Sequence, residues 1–158
     1  MRFALLTGIL LVLAAPAQAS AAGCPGLSGS FTGVRGSAGA GQISYVLRVK
    51  NGGSKACTLT GVPALQLLGR RGKPLPTHVF RAPPFPPQHA FVLQPGKRAS
   101  ATARFSPDVP GVGEQTIAAC ERQAWKAWLT AGGGQILVPI SPPTRVCSHG
   151  RLSFTPFR

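Results

Sequence analysis

The sequence predicts an all-β fold, an antiparallel β-sandwich of about seven to eight strands stapled by disulfides. Short runs of alternating apolar and polar residues recur between turns rich in glycine and proline. No window of eleven or more residues beyond the N-terminal leader shows strong helical periodicity. Four cysteines supply an even set of staples.

The chain opens "MRFALLTGILLVLAAPAQASAAG". Arg2 precedes an uncharged apolar run from Phe3 to Ala15, followed by Pro16 and the small-residue step Ala17-Gln18-Ala19. That layout predicts a cleaved secretory signal peptide over residues 1–19. The apolar run is too short for a transmembrane anchor, and no later stretch is long and apolar enough to span a bilayer. Residues 20–158 then have the size of a single β-sandwich domain.

"QISYVLRVK" (Gln42–Lys50) sets Ile43, Tyr45, Leu47 and Val49 on one side and Ser44, Arg48 and Lys50 on the other, the pattern of a half-buried strand. Asn51-Gly52-Gly53 ends it as a turn. Ala64–Leu68 reads as a strand closed by the basic turn "GRRGKP". "RAPPFPPQHAF" (Arg81–Phe91) carries four prolines around Phe85 and reads as a stiff polyproline-type connection. It is either a crossover between sheets or a ridge presenting Phe85 and His89 to a partner. Gln94-Pro95-Gly96-Lys97 is a turn before "ASATARF", where Ala99, Ala101, Ala103 and Phe105 face the core. The Trp125 and Trp128 segment is ambiguous between a helical turn and a strand, and strand fits its surroundings. Gln135–Ile140 and Arg151–Phe157 complete the set, with Pro139 expected at an edge or strand end.

The cysteines are Cys24, Cys57, Cys120 and Cys147. An even count in an exported chain reads as two disulfides, each pairing residues well apart in sequence. Three pairings are open and spacing does not choose among them; the sequential one, Cys24–Cys57 and Cys120–Cys147, is favoured. "SAAGC" offers Cys24 a second fate, acylation as a lipoprotein N-terminus. However, Ala21 stands where leucine is expected, and lipidation would orphan one of the other cysteines.

Charge excludes some functions and suggests others. Seventeen Lys and Arg residues stand against Asp108, Glu114 and Glu121, for a net charge of +14. Such a balance draws a protein toward anionic surfaces, or it serves only solubility. Arg70, Arg71, Lys73, Lys97 and Arg98, borne on turns, are the candidate anion contacts. An anionic envelope polymer, an anionic membrane surface or another envelope protein are the partners considered. Specific nucleic-acid binding is not expected, since no aromatic-and-basic signature is present.

Catalytic patterns are missing. There is no Gly-x-Ser-x-Gly, no phosphate-binding loop and no dinucleotide fingerprint. No metal or cofactor is expected: there is no Cys-x-x-Cys, and His78, His89 and His149 are scattered. A hydrolase built on Asp108, Glu114 or His89 is the least favoured reading. The protein is therefore expected to be a non-catalytic binding or structural module, periplasmic or extracellular. The alternative is an assembly or adaptor protein using a strand edge or the proline-rich loop.

Asn51, Cys57, Leu59, Gly61 and Pro63 form an Asn…Cys-x-Leu-x-Gly-x-Pro pattern, and Leu93, Pro95 and Gly96 a later Leu-x-Pro-Gly. With the late Cys120 and Cys147, this resembles an exported bacterial family described as a domain of unknown function. The resemblance runs from about Cys24 to the end of the chain. It implies an immunoglobulin-like β-sandwich at or outside the envelope, with an early and a late cysteine pair, and it implies no catalytic residue. Members often follow a lipoprotein signal or membrane anchor, from which this ordinary-looking leader departs.

Overall fold

A computed structural model describes residues 23–83, 89–116, 120 and 122–158; the signal peptide expected over residues 1–19 lies outside them. Among the described residues ten strands follow one another: β1 (Leu27–Gly33), β2 (Ile43–Asn51), β3 (Cys57–Leu59), β4 (Ala64–Leu68), β5 (His78–Arg81), β6 (Phe91–Leu93), β7 (Arg98–Phe105), β8 (Ala124–Ala131), β9 (Gly134–Thr144) and β10 (Arg151–Phe154). The fold is all-β. The count exceeds seven or eight because β3, β5 and β6 have only three or four residues, too few to show a period. Strand β1, "LSGSFTG", hides behind glycine and serine. The Trp125 and Trp128 segment is strand β8, turned into β9 through Gly132 and Gly133.

Eight strands form one sheet in the order β4-β8-β9-β1-β2-β7-β10-β5, and β3 pairs with β6 in a separate ribbon. Most pairings are antiparallel, but β1 runs parallel to β9 and β10 parallel to β5. Strand β9 serves two partners. Residues 134–139 and, beyond a bulge, Thr144 pair with β8, whereas Ile140 and Ser141 between them pair with β1. Pro139 therefore ends no strand: β9 continues through it to Thr144. The residue lies where the ladder to β8 breaks at a bulge and the one to β1 has yet to begin, so its missing N–H is tolerated.

No helix among the described residues covers either wing of this sheet; the wings and the β3–β6 ribbon, through Cys57, Leu59 and Leu93, bury their apolar faces in one cluster. Leu67, Ala127, Leu129 and Val138 from one wing join Phe31, Leu47, Ala101 and Phe154 from the other in one buried cluster. The alternation of β2 and β7 explains the inward set, since period two sends Leu47, Val49, Ala99, Ala101 and Ala103 to the same side. Phe31 packs against Tyr45 and Phe154 at 5.2 and 5.8 Å, and Tyr45 against Phe105 at 5.3 Å. The alanines of β7 make room for those rings. Burying each such ring or leucine contributes about 1.5–3 kcal/mol.

The exposed stretch after β2 is anchored rather than loose, because Asn51 at the end of the strand ties it down. Asn51 is fully buried. Its amide donates to the carbonyls of Lys55 (2.8 Å) and Leu93 (2.9 Å), and its side-chain oxygen accepts from the Gly53 N–H (2.9 Å). Its backbone also bonds Gly96 and Lys97. Across the ribbon, Cys57 pairs with Leu93 and Leu59 with Phe91. The two motifs quoted above thus meet in space. Gly53 lies against the Pro25 carbonyl with no room for a β-carbon, which accounts for a glycine there.

The cysteines are joined as Cys24–Cys57 and Cys120–Cys147. The first ties the entry to β1 onto β3, and the second ties the approach to β8 onto a left-handed turn at Cys147–Gly150. The proline-rich segment leads from β5 in the large sheet to β6 in the ribbon.

Candidate functional site

Antiparallel pairing of β4 with β8 sets Leu68 opposite Lys126, so the turn leaving β4 lies beside the approach to β8. That turn is tight: Gly69 N–H donates to Lys73 (2.8 Å), Gly72 N–H to Gly69 (2.9 Å), and Leu75 N–H returns to Leu67 (3.0 Å). Gly72 has φ 77°, a conformation that favours glycine. With its backbone bonds turned inward, the turn exposes Arg70, Arg71 and Lys73. Across from them stand Arg122, Gln123 and the half-buried Trp125.

Together these residues line a cavity of about 300 Å³, floored in part by Leu75. The Arg70 guanidinium lies 5.2 Å from the centre of the Trp125 ring, within range of a cation–π attraction of about 0.5–1 kcal/mol at an exposed site. Stacking pre-orients the guanidinium while its N–H donors stay available. Four cations converge here, and none of the described lining residues is acidic. Such a site can hold an anion by charge-assisted hydrogen bonds, with an apolar ring beside it.

The five sequence-predicted cations do not form one patch. Arg70, Arg71 and Lys73 come together with Arg122, which sequence reasoning did not select. Lys97 sits in the β6–β7 turn, and its carbonyl accepts the Asn51 N–H. Arg98 begins β7 opposite Lys50, in a different cavity that also includes Arg48. Arg122 and Trp125 were missed because they lie some fifty residues from Arg70, and only strand register joins them. Of the two candidate partner contacts, His89 is exposed before β6, and Phe85 lies outside the described residues.

Glu114 builds a second polar cluster. Its carboxylate is buried and accepts from the backbone N–H groups of Gly111 (2.8 Å), Ser148 (2.7 Å) and His149 (2.9 Å). Ser148 and His149 both have positive φ, 55° and 56°, which turns their N–H groups toward one anion. His149 Nδ1 is 3.9 Å from the carboxylate, while Nε2 faces the Val112 carbonyl at 3.2 Å. Burial alone would raise the Glu114 pKa, but the backbone donors and the charge of His149 outweigh it and hold the group below its ordinary value. Glu114 Oε and the sulfurs of Cys120 and Cys147 lie within 4.8 Å of one another, but both sulfurs are spent in the disulfide and offer a metal no thiolate. The carboxylate's role here is to cap the left-handed turn. Asp108 lies in the Ser106–Val109 turn, where the Ser106 hydroxyl donates to the Val109 carbonyl, and His89 is exposed before β6.

A protein-family model described as a domain of unknown function (DUF4232) matches residues 24–158. No curated protein and no solved structure matches the chain.

Proposed function

The chain belongs to the DUF4232 family, and from its own surface we propose that it is a non-catalytic, secreted or envelope-associated module that binds an acidic polymer. The convergence of Arg70, Arg71, Lys73 and Arg122 around Trp125 carries this reading. Four like charges held together repel one another, and an anion in the cavity relieves that repulsion. Two disulfides and a leader-like N-terminus support an oxidising compartment outside the cytoplasm.

The test is retention on an acidic polysaccharide matrix as salt is raised from about 50 mM to about 500 mM, where the screening length shortens severalfold. The wild-type protein should bind at low salt and elute at high salt. Arg70→Ser/Arg71→Ser should elute at distinctly lower salt with an unchanged melting temperature. Retention that ignores salt, or that ignores this double substitution, would remove the cavity from the account.

A further inference from the structure

The outer face of the large sheet carries a separate basic surface. With Leu47, Val49, Ala99 and Ala101 facing the core, Arg48 and Lys50 on β2 and Arg98 and Arg104 on β7 stand outward and exposed. Register sets Lys50 directly opposite Arg98. Arg48 lies between Ser30 and Ser100, Arg104 between Ser44 and Ser153, and Ser28 adjoins Lys50. Like charges directly opposite on a sheet destabilise it. None of these four cations has a carboxylate partner among the described residues. Around the Lys50 and Arg98 pair the surface forms a hollow of about 310 Å³, which Ser28, Ser30 and Arg48 also line.

We propose that this face binds a linear phosphodiester polymer lying along β2 and β7, with one phosphate seated between Lys50 and Arg98. A tetrahedral phosphate presents oxygens to both strands at once, taking the ammonium from one and the guanidinium fork from the other. The serine hydroxyls beside them donate to its remaining acceptors. Arg98 and Arg104 are six residues apart, about 20 Å along an extended strand. One small anion fills only an end of that row, whereas a polymer can follow it. A membrane surface fits less well: Val46 is half-buried, and the exposed Phe80 ring is engaged by the Arg151 guanidinium, 4.3 Å from its centre, rather than standing clear as a wedge.

The experiment titrates the disulfide-intact protein with poly(glycerol phosphate), inorganic phosphate and phosphatidylglycerol vesicles over a range of salt. The polymer should bind well and inorganic phosphate only weakly. Lys50→Ser/Arg98→Ser should weaken polymer binding about tenfold and flatten the slope of log affinity against log salt by about one to two. Arg70→Ser/Arg71→Ser, which disables the other cavity, should retain most of it. Both replaced side chains are exposed, so the melting temperature should hold; should it fall, Lys50→Gln alone should still flatten the slope by about half as much. Polymer binding unchanged in Lys50→Ser/Arg98→Ser overturns the proposal. So does loss confined to Arg70→Ser/Arg71→Ser, or uptake by vesicles matching or exceeding that by the polymer.

Discussion

Glu114 turns its carboxylate inward, toward backbone N–H groups that come from residues three before it and thirty-four and thirty-five after it. Because its pKa is lowered from 4.5 in the folded protein, it contributes stability that is complete above the unfolded carboxylate value. That contribution is lost as pH falls through the folded value. The melting temperature should therefore hold from neutral pH to about 5 and drop below about 4. Glu114→Gln should cost about 2–3 kcal/mol at neutral pH and flatten the acid side of the profile. An equally steep acid loss in the variant would assign the effect elsewhere. Asn51 is the second decisive residue. Asn51→Ala leaves the buried Leu93 carbonyl and the Lys55 carbonyl without their amide donor, and should lower urea stability by about 2–3 kcal/mol. Asn51 was legible as a turn former next to Gly52. Its clamp on Leu93 was not, since that partner is forty-two residues away. Glu114 gave no local signal at all, because the donors that define it belong mostly to the Cys147–Gly150 turn.

Among the elements, β2, β4 and β7 could be read from alternation or composition because each buries one face and wets the other. Strand β8 was ambiguous with a helical turn, and only its β surroundings favoured a strand. Strand β9 was read short. Its three prolines resemble a strand's end, yet β9 changes partners midway, and the change makes Pro139 acceptable. The ribbon of β3 and β6 has only three residues a strand; it buries Cys57, Leu59 and Leu93 in the core and also draws on covalent and hydrogen-bonded support. Cys24–Cys57 supplies part of it, closing a sequence separation of 33. Removing that bridge as Cys24→Ser/Cys57→Ser should cost about 3–4 kcal/mol by loop-closure entropy, read from urea midpoints. A loss under about 1 kcal/mol would mean that the bridge constrains the unfolded chain little.

Across the whole molecule, charge was evident from composition, but its division into two surfaces was not. A net charge of +14 says that anions are attracted and nothing about where. The pairing of β4 with β8 gathers Arg70, Arg71, Lys73 and Arg122 around Trp125, and the pairing of β2 with β7 sets Lys50 against Arg98. Neighbours along the chain are separated in the process: Lys97 stays in a turn while Arg98 joins the sheet face. The all-β class, the inward face of the long strands and the Asn51 turn follow from residue types and period two, which act within a few residues. The change of partners along β9, the two basic cavities, the Asn51 hydrogen bonds and the Glu114 cap depend on contacts between residues far apart in sequence. Gathering the wings of the sheet and the β3–β6 ribbon around one buried cluster brings those contacts into being.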